Sequence, residues 1–105
     1  MKRALAALAL AGVVWAHPAL AGKRMPDIDF GQLTCGEFLE EIATASDDDA
    51  AAVLLWIDGY LSGVSGDTML RWRSFEAYTE RLADYCVKYP RKNLLDSARK
   101  MGIER

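Results

Sequence analysis

Histidine occurs once in the 105 residues, at position 17, and cysteine only twice, at 35 and 86. These scarcities remove whole classes of chemistry. One histidine ahead of the main body excludes Ser-His-Asp and Cys-His nucleophiles and histidine metal sets. Two distant cysteines do not make a zinc site. There is no P-loop and no dinucleotide fingerprint. No segment alternates apolar and polar residues as a half-buried strand does, and there is no internal repeat. The reading is a non-enzyme with no cofactor.

The chain opens with Lys2 and Arg3, then an apolar run from Ala4 to Trp15, then HPALA with small residues at Ala19 and Ala21. That is the pattern of a cleaved secretory signal over 1–21. The run is too short to span a bilayer, so no membrane insertion is expected after cleavage. Cleavage removes His17 and leaves eleven basic against fifteen acidic side chains, net −4. An acidic domain is a poor match for nucleic acid. The expected compartment is the periplasm.

Export places the cysteines in an oxidising space, where a Cys35–Cys86 bridge is the default. A reactive Cys86 would need a histidine or cationic pocket to form its thiolate. Closing a loop of this length is worth about 4 kcal/mol in the chain-entropy account. That is comparable to the net stability of a small domain.

Residues 22–33 are polar and broken by glycine and proline, and read as a flexible arm. Residues 34–105 read as one small all-α domain, a bundle of about four helices with one disulfide. Thr34 and Glu37 have capping-box spacing, and Cys35, Phe38, Leu39 and Ile42 follow on one helical face. Ser46 caps a second helix whose first turn holds Asp47, Asp48 and Asp49, where the helix dipole favours negative charge. These aspartates lack the alternating spacing of a calcium loop, so no metal is expected. Val53, Trp56, Ile57, Tyr60, Leu61 and Val64 repeat at helical intervals, with Leu54 and Leu55 widening the stripe. Gly59 and Gly63 are spaced for close helix approach or mark a weak point in the helix. A third helix covers 73–89, with Tyr78, Leu82, Tyr85 and Cys86 on one face. Pro90 stops it, and Asn93 caps a short fourth helix. Trp72, between two arginines beside a loop, fits the core pattern worst and is the candidate exposed contact.

Without histidine, only the amino terminus titrates near neutrality, and the side-chain response to acid rests on carboxylates. Protonating all fifteen takes the exported chain from −4 to +11. The resulting self-repulsion favours loosening or dissociation at about pH 5 and below.

TCGEFLE, WIDGYLSG with GD at 66–67, and YCVKYPRKNLLD, in that order over about 34–97, resemble the HdeA/HdeB family of periplasmic acid-stress chaperones, and HdeB more closely. The resemblance implies an all-helical domain with one disulfide, matching Cys35 and Cys86. It implies a homodimer at neutral pH. It also implies ATP-independent holding of unfolded periplasmic clients once acid exposes apolar surface. Carried onto this chain, the client or dimer surface is Val53, Leu54, Trp56, Ile57, Tyr60 and Leu61. Asp47, Asp48 and Asp49 are the candidate acid-sensing carboxylates, although that turn has no counterpart in the family pattern. The competing reading is an immunity or inhibitor protein that binds one periplasmic partner at neutral pH.

Overall fold

The computed structural model describes residues 25–103. The expected signal segment, 1–21, lies outside the described residues. A 3-10 turn, Phe30–Gln32, leads into four helices: α1 Cys35–Thr44, α2 Asp47–Ser65, α3 Trp72–Lys88 and α4 Leu94–Gly102. The all-α expectation holds, and the only β-type pairing among the described residues is an isolated Thr34–Asn93 bridge.

Three of the four helices start on side-chain caps that are visible in the sequence. Thr34 Oγ1 accepts the Glu37 N–H at 3.2 Å, and Glu37 Oε1 accepts the Thr34 N–H at 2.9 Å. Ser46 Oγ accepts from Asp49 N–H at 3.1 Å, and Asn93 Oδ1 from Asp96 N–H at 3.0 Å. Each satisfies a backbone donor that the helix itself leaves unpaired. The start of α3 at Arg71 has no side-chain cap. The helix α2 ends on Gly66 at φ +83°, a left-handed position that suits glycine, and its N–H donates to Ser62 O. Pro90 disfavours helical geometry at Tyr89, so α3 stops at Lys88.

The short α4 is the hub, because α1, α2 and α3 all pack against it. The core joins Phe38 of α1, Val53, Ile57 and Leu61 of α2, Tyr78 and Leu82 of α3, and Leu94 and Ala98 of α4. Gly102 lets the end of α4 approach closely. A β-carbon there would lie 2.6 Å from Leu61 Cδ1 and 3.0 Å from Tyr78 Cε1.

The disulfide Cys35–Cys86 is formed, and both residues are fully buried. It joins the first residue of α1 to the last turn of α3. Backbone hydrogen bonds surround it: Cys35 N–H to Lys92 O and Gly36 N–H to Pro90 O, both 2.8 Å, and Leu94 N–H to Leu33 O, 2.9 Å. Asn93 Nδ2 also donates to Gly31 O at 3.1 Å. The polar segment ahead of α1 thus carries Phe30 into the core, with Met25 and Ile28 packed beside it.

Candidate functional site

The structure divides the six apolar residues expected to form a binding surface. Val53, Ile57 and Leu61, at i, i+4 and i+8, are buried in the chain's own core. In the folded protomer these three are therefore core and not surface, because α2 spends its most regular stripe on α4 and α1. Leu54 and Tyr60 flank that stripe and are half-buried. Trp56 is 46% exposed.

The Phe30 ring stacks on Trp56 at 4.0 Å and 7°, and Trp56 lies nearly parallel to Tyr60 at 5.9 Å. Arg99 Nη1 donates to the Tyr60 hydroxyl at 2.7 Å. This aromatic row pins the segment before α1 against α2. The sequence reading missed the partnership because Phe30 lies in a polar stretch with no helical period.

The side of α2 away from the core is built from Ala51, Ala52, Leu55, Trp56, Gly59 and Gly63, all exposed. Nothing lies within 4 Å of a β-carbon built at Gly59 or Gly63. Within the protomer, then, the two glycines do not serve close helix packing and instead open this face.

A second apolar surface sits where α2 passes into α3. Val64, Met69, Leu70 and Trp72 are all exposed there, Met69 and Trp72 each to 62%. Trp72 makes an edge contact with Phe75 at 6.1 Å. Trp72, the candidate for an exposed contact, is exposed in the structure.

Beside this loop runs an open cleft of about 480 Å³, whose walls include Asp58, Leu61, Asp67, Arg71, Tyr78 and Arg81. Burial raises the Asp58 pKa above the ordinary carboxylate value, and the nearby negative charge of Asp67 raises it further. Asp67 moves the other way. Its carboxylate accepts the Met69 N–H at 3.0 Å and pairs with Arg71 at 2.9 Å, and both hold its pKa down. Burial pushes the Tyr78 phenol well above its ordinary range, and its hydroxyl donates to Ala98 O at 3.2 Å. The Arg81 guanidinium lies 5.9 Å over the Tyr78 ring.

Asp47 and Asp48 are exposed in the first turn of α2, and Asp49 is half-buried. Among the described residues no group of three metal-ligating side chains could hold an ion. Asp58 and Asp67 escaped the sequence reading as acid-responsive groups. A lone carboxylate inside an apolar helix, in WIDGY, was the available signal for Asp58.

A profile of the HdeA/HdeB family matches residues 3–96, most of the chain. The chain belongs to the HdeA/HdeB family. Members of the HdeA/HdeB family are periplasmic acid-stress chaperones and not enzymes. The all-α fold and the Cys35–Cys86 bridge agree with what the resemblance implied. No curated protein and no solved structure matches the chain. Among the described residues, no helix is long and apolar enough to cross a membrane.

Proposed function

We propose that this protein is an ATP-independent holdase of the periplasm, paired with a second copy near neutral pH and activated by acid. The observation that carries the reading is how unevenly the fold is secured. The disulfide and a mesh of backbone bonds hold one end, while exposed apolar residues and local polar contacts make up the α2–α3 end. A fold built this way can open apolar surface at one end without coming apart at the other.

Acid has identifiable targets. The folded-state pKa of Asp67 lies below its unfolded value, so its contribution to stability is full above the unfolded value. That contribution is lost as pH falls through the folded value. Protonation then removes the acceptor that organises Met69 and Arg71 in the loop. Asp58 has the opposite sign: its raised pKa costs stability while it is charged, and the cost disappears on protonation. Opening the α2–α3 end would bring Leu61, and next to it Ile57, to the surface.

The test is to mix the oxidised protein with an acid-labile protein and follow light scattering from about pH 7 to about pH 2, a range that spans carboxylate titration. The oligomeric state of the chain alone is followed in parallel. The reading requires suppression of aggregation in acid only, together with loss of a neutral-pH dimer. Trp72, exposed between Arg71 and Arg73, favours one other reading, an inhibitor gripping a single partner at neutral pH. A tight neutral-pH complex that is lost in Trp72→Ala would establish it.

A further inference from the structure

Charge in this chain is divided along its length. From Met25 to Leu70 there are ten aspartates and glutamates and no lysine, arginine or histidine. From Arg71 to Ile103 eight lysines and arginines accompany four carboxylates. Beyond Tyr85 five of those cations stand against Asp96 alone. They sit on the last turn of α3, the turn after it and α4, so the disulfide end carries most of the basic charge.

Residues 87–92, VKYPRK, are exposed without a break. Val87 is 68% exposed and Tyr89 47%. Lys88, Tyr89, Arg91 and Lys92 rim an open hollow of about 610 Å³. Lys92 also borders a second hollow of about 450 Å³, which Tyr85 and Lys100 help to line. The basic surface is therefore continuous from the end of α3 to α4. Lys88, Arg91, Lys92 and Lys100 form no ion pair among the described residues, so their charge is open to an outside anion. The corner is also fixed in place. The disulfide lies under it, and Cys35 and Gly36 N–H groups bond to Lys92 O and Pro90 O. A preorganised set of charges loses little freedom on binding.

We infer that this corner, with Lys88, Arg91, Lys92 and Lys100 around Val87 and Tyr89, docks on the phosphate headgroups of an anionic phospholipid leaflet. The cations spread over an exposed surface and do not converge in one enclosed pocket, which suits a sheet of phosphates better than a single anion. Exposed Val87 and Tyr89 among them fit the boundary of a leaflet, where a tyrosine ring settles at headgroup level and lysine stems lie along apolar surface. The contact is peripheral, since among the described residues no helix is long and apolar enough to cross a membrane. Docking there leaves the α2–α3 end, at the opposite end of α3, facing away from the leaflet. The inference goes beyond the holdase reading and does not depend on it.

Acid strengthens the contact. The carboxylates around the corner are Asp84 on α3, Asp96 on α4, Glu37 on α1, and Asp27 and Asp29 ahead of α1. Acid neutralises such groups, whereas lysine, arginine and the phosphodiesters of lipid keep their charge. The attraction therefore grows as pH falls through the carboxylate range.

The test is co-sedimentation of the oxidised protein with vesicles of phosphatidylglycerol and phosphatidylcholine, against phosphatidylcholine alone, at about 0.1 M salt, where screening acts beyond about 10 Å. Binding is expected to the anionic vesicles only, and more tightly at about pH 4 than at about pH 7. Arg91→Gln with Lys92→Gln should weaken it about thirtyfold, because each cation at an anionic surface is worth about fivefold. Arg71→Gln with Arg73→Gln changes the net charge equally at the far end of α3, about 22 Å from Lys88, and should stay within about twofold. All four sites are exposed, and circular dichroism checks that each variant folds. In the unmodified protein, anionic vesicles should shield Lys88 and Lys92 from an acetylating reagent. No binding, equal binding to phosphatidylcholine, or equal weakening by the two pairs overturns the assignment. Release from the vesicles by single-stranded DNA of matched phosphate content makes the corner a site for soluble polyanions and overturns it too. So does a change of oligomeric state in Arg91→Gln with Lys92→Gln while vesicle binding stays as in the parent, which would assign the corner to a second copy. None of these readouts involves aggregation of another protein, so the holdase reading stands or falls separately.

Discussion

The two ends of the bundle are built to different standards. At the disulfide end, Cys35, Cys86, Leu94 and Phe38 are essentially sealed from solvent, two capped helix starts lie side by side, and backbone bonds tie the α3–α4 turn to α1. At the α2–α3 end the large apolar residues Val64, Met69 and Trp72 are more than half exposed. The helix that starts there has no side-chain cap. Local stability follows buried contacts and protected hydrogen bonds, so the two ends should open at different free energies. A chaperone that must expose apolar surface and then recover its fold gains from that contrast. One end keeps the register while the other changes.

The largest break in the comparison is to cut the covalent tie. Cys35→Ala with Cys86→Ala should cost about 4 kcal/mol, which would leave little folded protein at neutral pH. Thermal melts of the reduced and oxidised chains should show the same loss. Next in size is the core that both ends share. Leu82→Ala, at a fully buried site, should cost about 2–5 kcal/mol by denaturant unfolding. Trp72→Ala at the loose end should change stability by no more than about 0.5 kcal/mol, because so much of the ring already meets water.

These contrasts bear on what the sequence could and could not reveal. The helix starts were legible, because Thr34, Ser46 and Asn93 are local signals that act on the next few residues. The boundaries of α3 were legible to within one residue, since Pro90 acts on its immediate neighbour. The pairing of Cys35 with Cys86 followed from export and cysteine number. Which side of α2 faces inward was not legible. Its apolar residues cover too much of the circumference to define one face, and only the position of α4 selects Val53, Ile57 and Leu61 for the core. The docking of Phe30 on Trp56 depends on tertiary contact alone. The raised pKa of Asp58 depends on burial that arises only when the chain folds, whereas Asp67 is held down by the Met69 N–H and Arg71 of its own loop.

Caps sharpen the comparison at a smaller scale. Asn93→Ala removes both the α4 cap and the bond to Gly31 O, and should cost about 1–2 kcal/mol. Ser46→Ala removes only a cap and should cost about 1 kcal/mol. The smallest effects are the ones whose signs say most. Asp67→Asn should lower the melting temperature at neutral pH, and the deficit should vanish once acid protonates the parent's carboxylate. Asp58→Asn should raise the melting temperature at neutral pH, and the advantage should likewise vanish in acid. Melts of both variants across the carboxylate range check the two signs against each other.

The most direct test of the central claim is hydrogen exchange along the chain of the oxidised protein as pH is lowered, corrected for intrinsic rates. The prediction is that the C-terminal half of α2, the loop and the first turns of α3 lose protection first, while α1, the end of α3 and the start of α4 stay protected. Uniform loss along the chain, or earlier loss around Cys35 and Cys86, would contradict a holdase that opens from one end.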